Sequence, residues 1–327
     1  MKKLNLFKTL ILTSIISVLG FTSCIETIQT PVVDNYKTLT DYLKASSLDL
    51  NNMTTNWVID APSLNTRGIA NYYFIDLRSA ADFSTGHIQG AVNTTMANVL
   101  TTAAGAPVAK KDSIIVVCYT GQTAAWANVA LRLSGYPKSR ILKWGMSSWN
   151  TIFDRNTANI SNQGTGNANW STTNTIKTPV TFGLPTITTT QTTGAAILSE
   201  RVAYILSKGL QLVNAADVLA TPSNYFVNNY WTDANVNQYG HIKGAYRLNE
   251  TLTLTADGMK NLDPAAQIVT YCWTGQTSAT VSAYLNVLGY NAYSLKFGAN
   301  SMINAALTAN KWSSTTPGSY AYVTGAN

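Results

Sequence analysis

Hydrophobic residues along this chain gather into short, dense runs separated by stretches of Thr, Asn, Ser and Gly. Tyr72–Leu77 and Ser113–Cys118 are apolar runs of strand length, the second rich in Ile and Val, as a strand covered on both faces would be. Just beyond Cys118 the period changes. Ala125, Val129 and Leu133 recur at helical spacing, and Gly135 supplies a stop. Arg140–Lys143 reads as a further strand running into Trp144-Gly145. The series then returns in the same order: Asn224–Asn228, Gln267–Cys272, a helix over Ala279–Leu288 closed by Gly289, and Tyr293–Phe297. Strands alternating with helices predict an α/β fold, here two domains, each a mostly parallel sheet with helices on both faces.

The return is a duplication. Gly86-His87-Ile88-Gln89-Gly90-Ala91 recurs as Gly240-His241-Ile242-Lys243-Gly244-Ala245, and Cys118-Tyr119-Thr120-Gly121-Gln122-Thr123 as Cys272-Trp273-Thr274-Gly275-Gln276-Thr277. Gly135-Tyr136 recurs as Gly289-Tyr290, and all three pairs share one offset of 154 residues. Both histidines of the chain stand 31 residues before the cysteine of their own copy. Three separated motifs with a common displacement mark a tandem repeat.

Composition changes the picture at the N-terminus. Lys2 and Lys3 precede an apolar run from Leu10 to Phe21, which ends in Phe21-Thr22-Ser23-Cys24. A basic start, a short apolar segment and small residues before a cysteine predict a lipoprotein signal peptide over residues 1–23, with Cys24 as the lipidated first residue. The run is short for a membrane-spanning helix. Removing residues 1–23 takes away three lysines and no acidic residue, so the formal charge of +7 falls to +4 with no basic stripe. Nucleic acid is therefore not an expected partner. The expected location is the periplasmic or cell-surface side of a bacterial membrane, the membrane being engaged through the N-terminal lipid. The domain plan is a tether over 24–35, a first domain over 36–155, a Thr/Asn/Gly-rich linker over 156–194 and a second domain over 195–317.

The candidate chemistry lies in the duplicated cysteine loop. Each cysteine closes a buried strand and opens a turn of Cys-aromatic-Thr-Gly-Gln-Thr before a helix. A glycine in mid-turn lets successive N–H groups curl toward the sulfur, and the helix N-terminus adds to that field. Both effects favour a thiolate and predict a lowered thiol pKa. Neither loop contains a His or Lys to act as base.

These motifs resemble the rhodanese (sulfurtransferase) family. The first copy adds Ile75-Asp76-Leu77-Arg78, Asp82-Phe83, and Leu142-Lys143-Trp144-Gly145 with Trp149, similar to the family's Asp-x-Arg, acidic-aromatic and closing-turn series. The resemblance implies transfer of sulfane sulfur from a thiosulfate- or mercaptopyruvate-like donor to a thiol or cyanide acceptor, through a persulfide on Cys118 or Cys272. By the same resemblance Tyr119, Thr120, Gly121, Gln122 and Thr123, and Trp273, Thr274, Gly275, Gln276 and Thr277, cradle the bound anion. It also places Thr123 and Thr277 to cap the helices, makes Asp76, Arg78, His87 and His241 structural braces, and implies no cofactor. The chain departs from the family's pattern in two ways. The loops lack the basic residues many relatives carry, and Val227-Asn228-Asn229-Tyr230-Trp231 stands where the second copy would have Asp-x-Arg.

Alternatives remain open at this stage. A Cys118–Cys272 disulfide suits an oxidising compartment. A module that carries or senses sulfur without turnover suits the missing cations. A phosphatase would need Arg six residues after the cysteine, where Ala124 and Ser278 stand. A zinc site lacks its close-spaced ligand pairs.

Overall fold

The computed structural model describes residues 34–326; the expected signal peptide, Cys24 and nearly all of the tether lie outside them. Asp34 accepts the Lys37 N–H and so caps the first helix, Asn35–Ala45. The first copy contains β1 (Val58–Ile59), β2 (Tyr73–Asp76), β3 (Val92–Asn93), β4 (Ile114–Val117) and β5 (Arg140–Leu142). β6 (Trp170–Ser171) follows. The second copy contains β7 (Leu212–Val213), β8 (Phe226–Asn229), β9 (His241–Ile242), β10 (Tyr246–Arg247), β11 (Ile268–Tyr271) and β12 (Ala292–Leu295). The two main sheets have the same order, β1-β5-β4-β2-β3 and β7-β12-β11-β8-β10, and every neighbouring pair in them is parallel. The α/β reading from the hydrophobic pattern thus holds in both copies.

Alternation along the central strands sets the layers. In β4, Ile114 and Val116 face one core while Ile115 and Val117 face another. The first of these cores is common to both copies, and it receives Trp126 and Leu131 from one and Tyr284 and Leu285 from the other. The helices that follow the two cysteines, Gln122–Leu133 and Gln276–Val287, pack against each other there. Each therefore has a sheet on one side and a helix on the other, which is why nearly all of their residues are buried rather than one face alone. Polar bonds cross the same seam: the Trp126 indole N–H donates to Ile205 O at 2.9 Å, and the Tyr284 hydroxyl to Leu48 O at 3.0 Å.

The segment after each copy runs over the other copy. Residues 156–194 do not simply connect. β6 pairs antiparallel with β9, the Trp170 indole N–H donates to Tyr239 O at 3.1 Å, and Ile187 enters the shared core. After the second copy the chain returns to the first. Val323 bridges antiparallel to His87, the Trp149 indole N–H donates to Ala321 O at 2.8 Å, and the Tyr322 ring meets Phe153 edge-on. Both straps land on the Gly-His motif of the opposite copy. Among the described residues no helix is long and apolar enough to cross a membrane.

Candidate active site

Cys118 follows β4 directly, and the helix Gln122–Leu133 begins four residues later. The turn between them folds back on the sulfur: Cys118 Sγ accepts the Gly121 N–H at 3.1 Å and the Ala124 N–H at 3.3 Å. Gly121 holds φ at +85°, the left-handed conformation that glycine adopts without strain. The turn is held from outside by the stretch after β5. Met146 N–H donates to Cys118 O at 2.8 Å, and Ser147 donates to Tyr119 O through its N–H at 3.0 Å and its hydroxyl at 2.8 Å. A side chain at Gly145 would come within 2.3 Å of Cys118 O, so only glycine allows this approach.

The second copy repeats the plan with one substitution at the sulfur. Cys272 Sγ accepts the Ser278 N–H at 3.3 Å, and the Ser278 hydroxyl lies 3.5 Å from the same sulfur. Ser278 Oγ also pairs with Ser294 Oγ at 2.7 Å. Ala299 N–H donates to Cys272 O at 2.8 Å, as Met146 does to Cys118 O. Both cysteines are free thiols and each is only 1% exposed, so the disulfide is not formed.

The two loops face each other. The Gln276 amide donates to Thr120 O in the first loop at 3.1 Å. The Gln122 carbonyl accepts the Phe297 N–H of the second copy at 2.9 Å, while its amide N–H donates to Thr120 Oγ1 at 3.1 Å. Each glutamine, expected in the cradle of its own cysteine, therefore reaches across to the other copy.

Charge is unevenly shared. In the first copy Arg78 forms a buried ion pair with Asp76, Nη2 to Oδ2 at 2.7 Å, and also donates to Gly86 O at 2.7 Å. The Tyr119 hydroxyl donates to Asp82, and the Arg155 guanidinium lies 5.3 Å from the Tyr119 ring centroid while pairing with Asp82 at 3.1 Å. Bonds from the Ser79 and Tyr119 hydroxyls, with the charge of Arg155 behind them, hold the Asp82 carboxyl below its ordinary value. Arg78, Asp82, Tyr119 and Arg155 line a cleft of about 270 Å³ with Ile152 and Phe153. The Cys118 thiol itself is pushed up, not down. Burial disfavours the thiolate by more than the amides of Ala124, Thr120 and Gly121 recover, which corrects the expectation of a lowered thiol pKa.

A family model for the rhodanese-like domain matches residues 61–152 and again 206–305, together more than half of the chain. The chain belongs to the rhodanese family. No curated protein matches it. Among solved structures it is similar to a thiosulfate sulfurtransferase from Pseudomonas aeruginosa, with 15% identity over 87% of this chain and 49% of that one, at a TM-score of 0.30. It is also similar to the 3-mercaptopyruvate sulfurtransferase from Leishmania major, with 13% identity over 75% of this chain and 72% of that one, at a TM-score of 0.26. The reduced CoADR-RHD of Bacillus anthracis is similar at 22% identity and a TM-score of 0.25, over 27% of this chain and 15% of that one. This chain thus spans well under two thirds of the Bacillus and Pseudomonas proteins.

Within this rhodanese pair, the positions of Asp76 and Arg78 are taken in the second copy by Asn229 and Trp231, because β2 pairs Asp76 with Val117 and β8 pairs Asn229 with Tyr271. Asn229 Nδ2 donates to the Tyr271 hydroxyl at 2.7 Å, and Trp231 packs at tilted and edge-on angles among Tyr239, Tyr271 and Trp273. His87 lies flat on Phe83, its ring N–H donating to Phe83 O at 2.9 Å; His241 Nδ1–H donates to Ile242 O at 2.9 Å. Both rings are buried and engaged by backbone rather than directed at a sulfur. Thr123 and Thr277 do not cap the helices; Gly121 and Gly275 occupy the cap positions and offer no side chain. Three contributors went unnoticed in the sequence. The amides of Ala124 and Ser278 sit six residues after each cysteine, where only the turn's closure brings them to the sulfur. Arg155 lies 36 residues beyond Tyr119, and no local motif signals that it will cover that ring.

Proposed function

We propose that the protein is a rhodanese-type sulfurtransferase. The observation that carries this reading is the strand-turn-helix bowl in which two backbone N–H groups converge on the buried Cys118 sulfur, with the same motif in the second copy bringing the Ser278 N–H to Cys272. Such a bowl stabilises a sulfur anion without a side-chain cation. The Cys118 thiolate attacks the outer sulfur of a thiosulfate- or mercaptopyruvate-like donor. The donor's S–S or C–S bond breaks and its electron pair leaves with sulfite or the enolate. A cyanide or thiol acceptor then attacks the terminal sulfur of the persulfide, and the cysteine departs as thiolate. Cys272 takes the same role in its own cradle. The turns 119–123 and 273–277 hold the persulfide, the Asp76–Arg78 pair braces the first, and no cofactor enters.

The test is incubation of the protein with thiosulfate or 3-mercaptopyruvate, followed by mass analysis of cysteine peptides and by thiocyanate assay after cyanide. One added sulfur atom on Cys118 or Cys272 and thiocyanate over many turnovers are expected. No persulfide on either cysteine would end the proposal. The near-complete burial of both thiols favours a second reading, a carrier or sensor that loads sulfur but turns over slowly. A persulfide that forms with at most one thiocyanate per site would select it.

We further propose that the chain is exported and lipid-anchored at Cys24, on the periplasmic or cell-surface side of a bacterial membrane. Labelling of producing cells with a radioactive fatty acid should mark the wild type and spare Cys24→Ser. Label in both would remove the anchor from Cys24.

A further inference from the structure

A cleft far from the two cysteine turns carries positive charge without an acid to answer it. It lies where β5 begins and the helix Gln122–Leu133 ends, at the edge of the first sheet away from Cys118, and has a volume of about 440 Å³. Arg132, Lys138 and Arg140 line it among neutral side chains, and no carboxylate does. The cleft beside Tyr119 differs, for there Asp82 sits among the cations. Arg132 is only 3% exposed and gives all five of its N–H groups to the backbone carbonyls of Asn52, Thr55, Asn56 and Ser139, at 2.7–3.3 Å. Those oxygens are neutral, so the guanidinium is anchored while its charge stays uncancelled. Burial, with the charge of Arg140 added, pulls the Arg132 pKa down to about 10. Among the described residues neither Arg132 nor Arg140 pairs with a carboxylate. Lys138 meets Asp112 at 2.6 Å, but both side chains are about two-thirds exposed and such a pair is weak.

We propose that this cleft is a phosphate-binding site, in which Arg140 and Lys138 donate to the phosphate oxygens and the fixed Arg132 supplies charge from the wall. Two uncompensated guanidinium charges exceed what a single carboxylate balances, and the planar fork of Arg140 matches the spacing of phosphate oxygens. A phosphate between them relieves the repulsion of Arg132 by Arg140. The wall needs no rearrangement to receive it, because Arg132 already holds the segment from Asn52 to Asn56 in place. The ligand is a phosphorylated small molecule or the headgroup of a phospholipid, which share this chemistry. The site is separate from the cysteine turns and does not depend on their reading as sulfur cradles.

Binding is measured by titration calorimetry on the full chain in a neutral detergent. The probes are inorganic phosphate, glycerol 3-phosphate, and glycerophosphoglycerol, which is the headgroup diester of an anionic phospholipid. Each titration is made against sodium chloride at matched ionic strength, which screens exposed charge without occupying a site. The wild type should bind at least one probe. Arg140→Gln should weaken that binding about ten- to a hundredfold, the scale of a lost hydrogen bond to a charged group. Lys138→Gln should weaken it about threefold, because that side chain is exposed, and Arg140→Lys should keep part of the affinity. Arg67→Gln removes an exposed cation outside the cleft and should change nothing. Tighter binding of inorganic phosphate or glycerol 3-phosphate identifies a soluble ligand, and tighter binding of the diester a lipid headgroup. No binding of any probe overturns the site. So does binding that Arg140→Gln leaves unchanged, or that Arg67→Gln weakens equally. If Arg140→Gln does not fold, Lys138→Gln decides by the same criterion.

Discussion

In the first copy, the strand before the Gly-His motif ends in Asp76, whose carboxylate grips Arg78 at 2.7 Å with both side chains almost fully buried. At the same register in the second copy stands Asn229, bonded to the Tyr271 hydroxyl, with Trp231 in the place of Arg78. One brace is ionic and the other is an amide set among aromatic rings. The difference extends to the rims. Tyr119 hydrogen-bonds Asp82 under the charge of Arg155, whereas Trp273 packs on Trp231 and Tyr239. Yet the turns above are held alike, by an N–H from the residue after Gly145 or Gly298 to the cysteine carbonyl. The cradle therefore depends on the backbone held around it. The chemistry of the brace below can change without altering how the turn is held. The exchange was not free of cost, for Asn229 Oδ1 and Trp231 Nε1 are buried without a partner.

The comparison can be broken at the ion pair first. Arg78→Ala leaves the Asp76 carboxylate buried and unpaired, and should destabilise the protein by about 3–5 kcal/mol in urea denaturation. Asp76→Asn combined with Arg78→Leu, which approaches the neutral brace, should recover part of that loss. If the double variant is no better than Arg78→Ala, the braces are not interchangeable in kind. In the second copy Tyr271→Phe removes the acceptor used by Asn229 and by the Ile242 N–H, for an expected loss of about 1–3 kcal/mol by the same measurement.

A smaller effect concerns the sulfur. Because burial raises the Cys118 pKa, its alkylation rate should go on climbing above the ordinary thiol value of about 8.5, while that of the denatured chain levels off there. The native state holds this proton more tightly than the unfolded chain does. Its contribution to stability is therefore present at lower pH and lost as pH rises past the ordinary thiol value. A profile with its midpoint well below that value would mean that the amides outweigh burial. The smallest change is expected from Tyr119→Phe, which loses the hydroxyl bond to Asp82 at a partly exposed rim. It should cost about 0.5–1 kcal/mol and let the Asp82 carboxyl titrate closer to its ordinary value.

Much of this was legible in the residues. The Ile- and Val-rich runs before Cys118 and Cys272 are the central strands, and the stop at Gly135 closes the helix that the spacing of Ala125, Val129 and Leu133 announces. The repeat placed both cysteines in equivalent turns, because the strand-turn-helix unit is local and its signals lie within a dozen residues of each other. The loss of Asp-x-Arg in the second copy was also visible, though not what replaced it. That required strand register, which pairs Asn229 with Tyr271 from a segment about forty residues away.

What the sequence by itself determined, then, is the unit: a parallel α/β domain with a cysteine bowl, made twice. Tertiary structure alone decided how the units meet. Periodicity describes one helical face, but the helices after the cysteines are buried all round because each packs on the other. The Thr- and Asn-rich stretch has no apolar period, yet it straps the second copy through Trp170, and the C-terminal stretch straps the first. The pKa of Cys118 follows the same logic. The turn motif signals the amides that lower it, whereas the burial that raises it comes from the packing of distant parts of the chain.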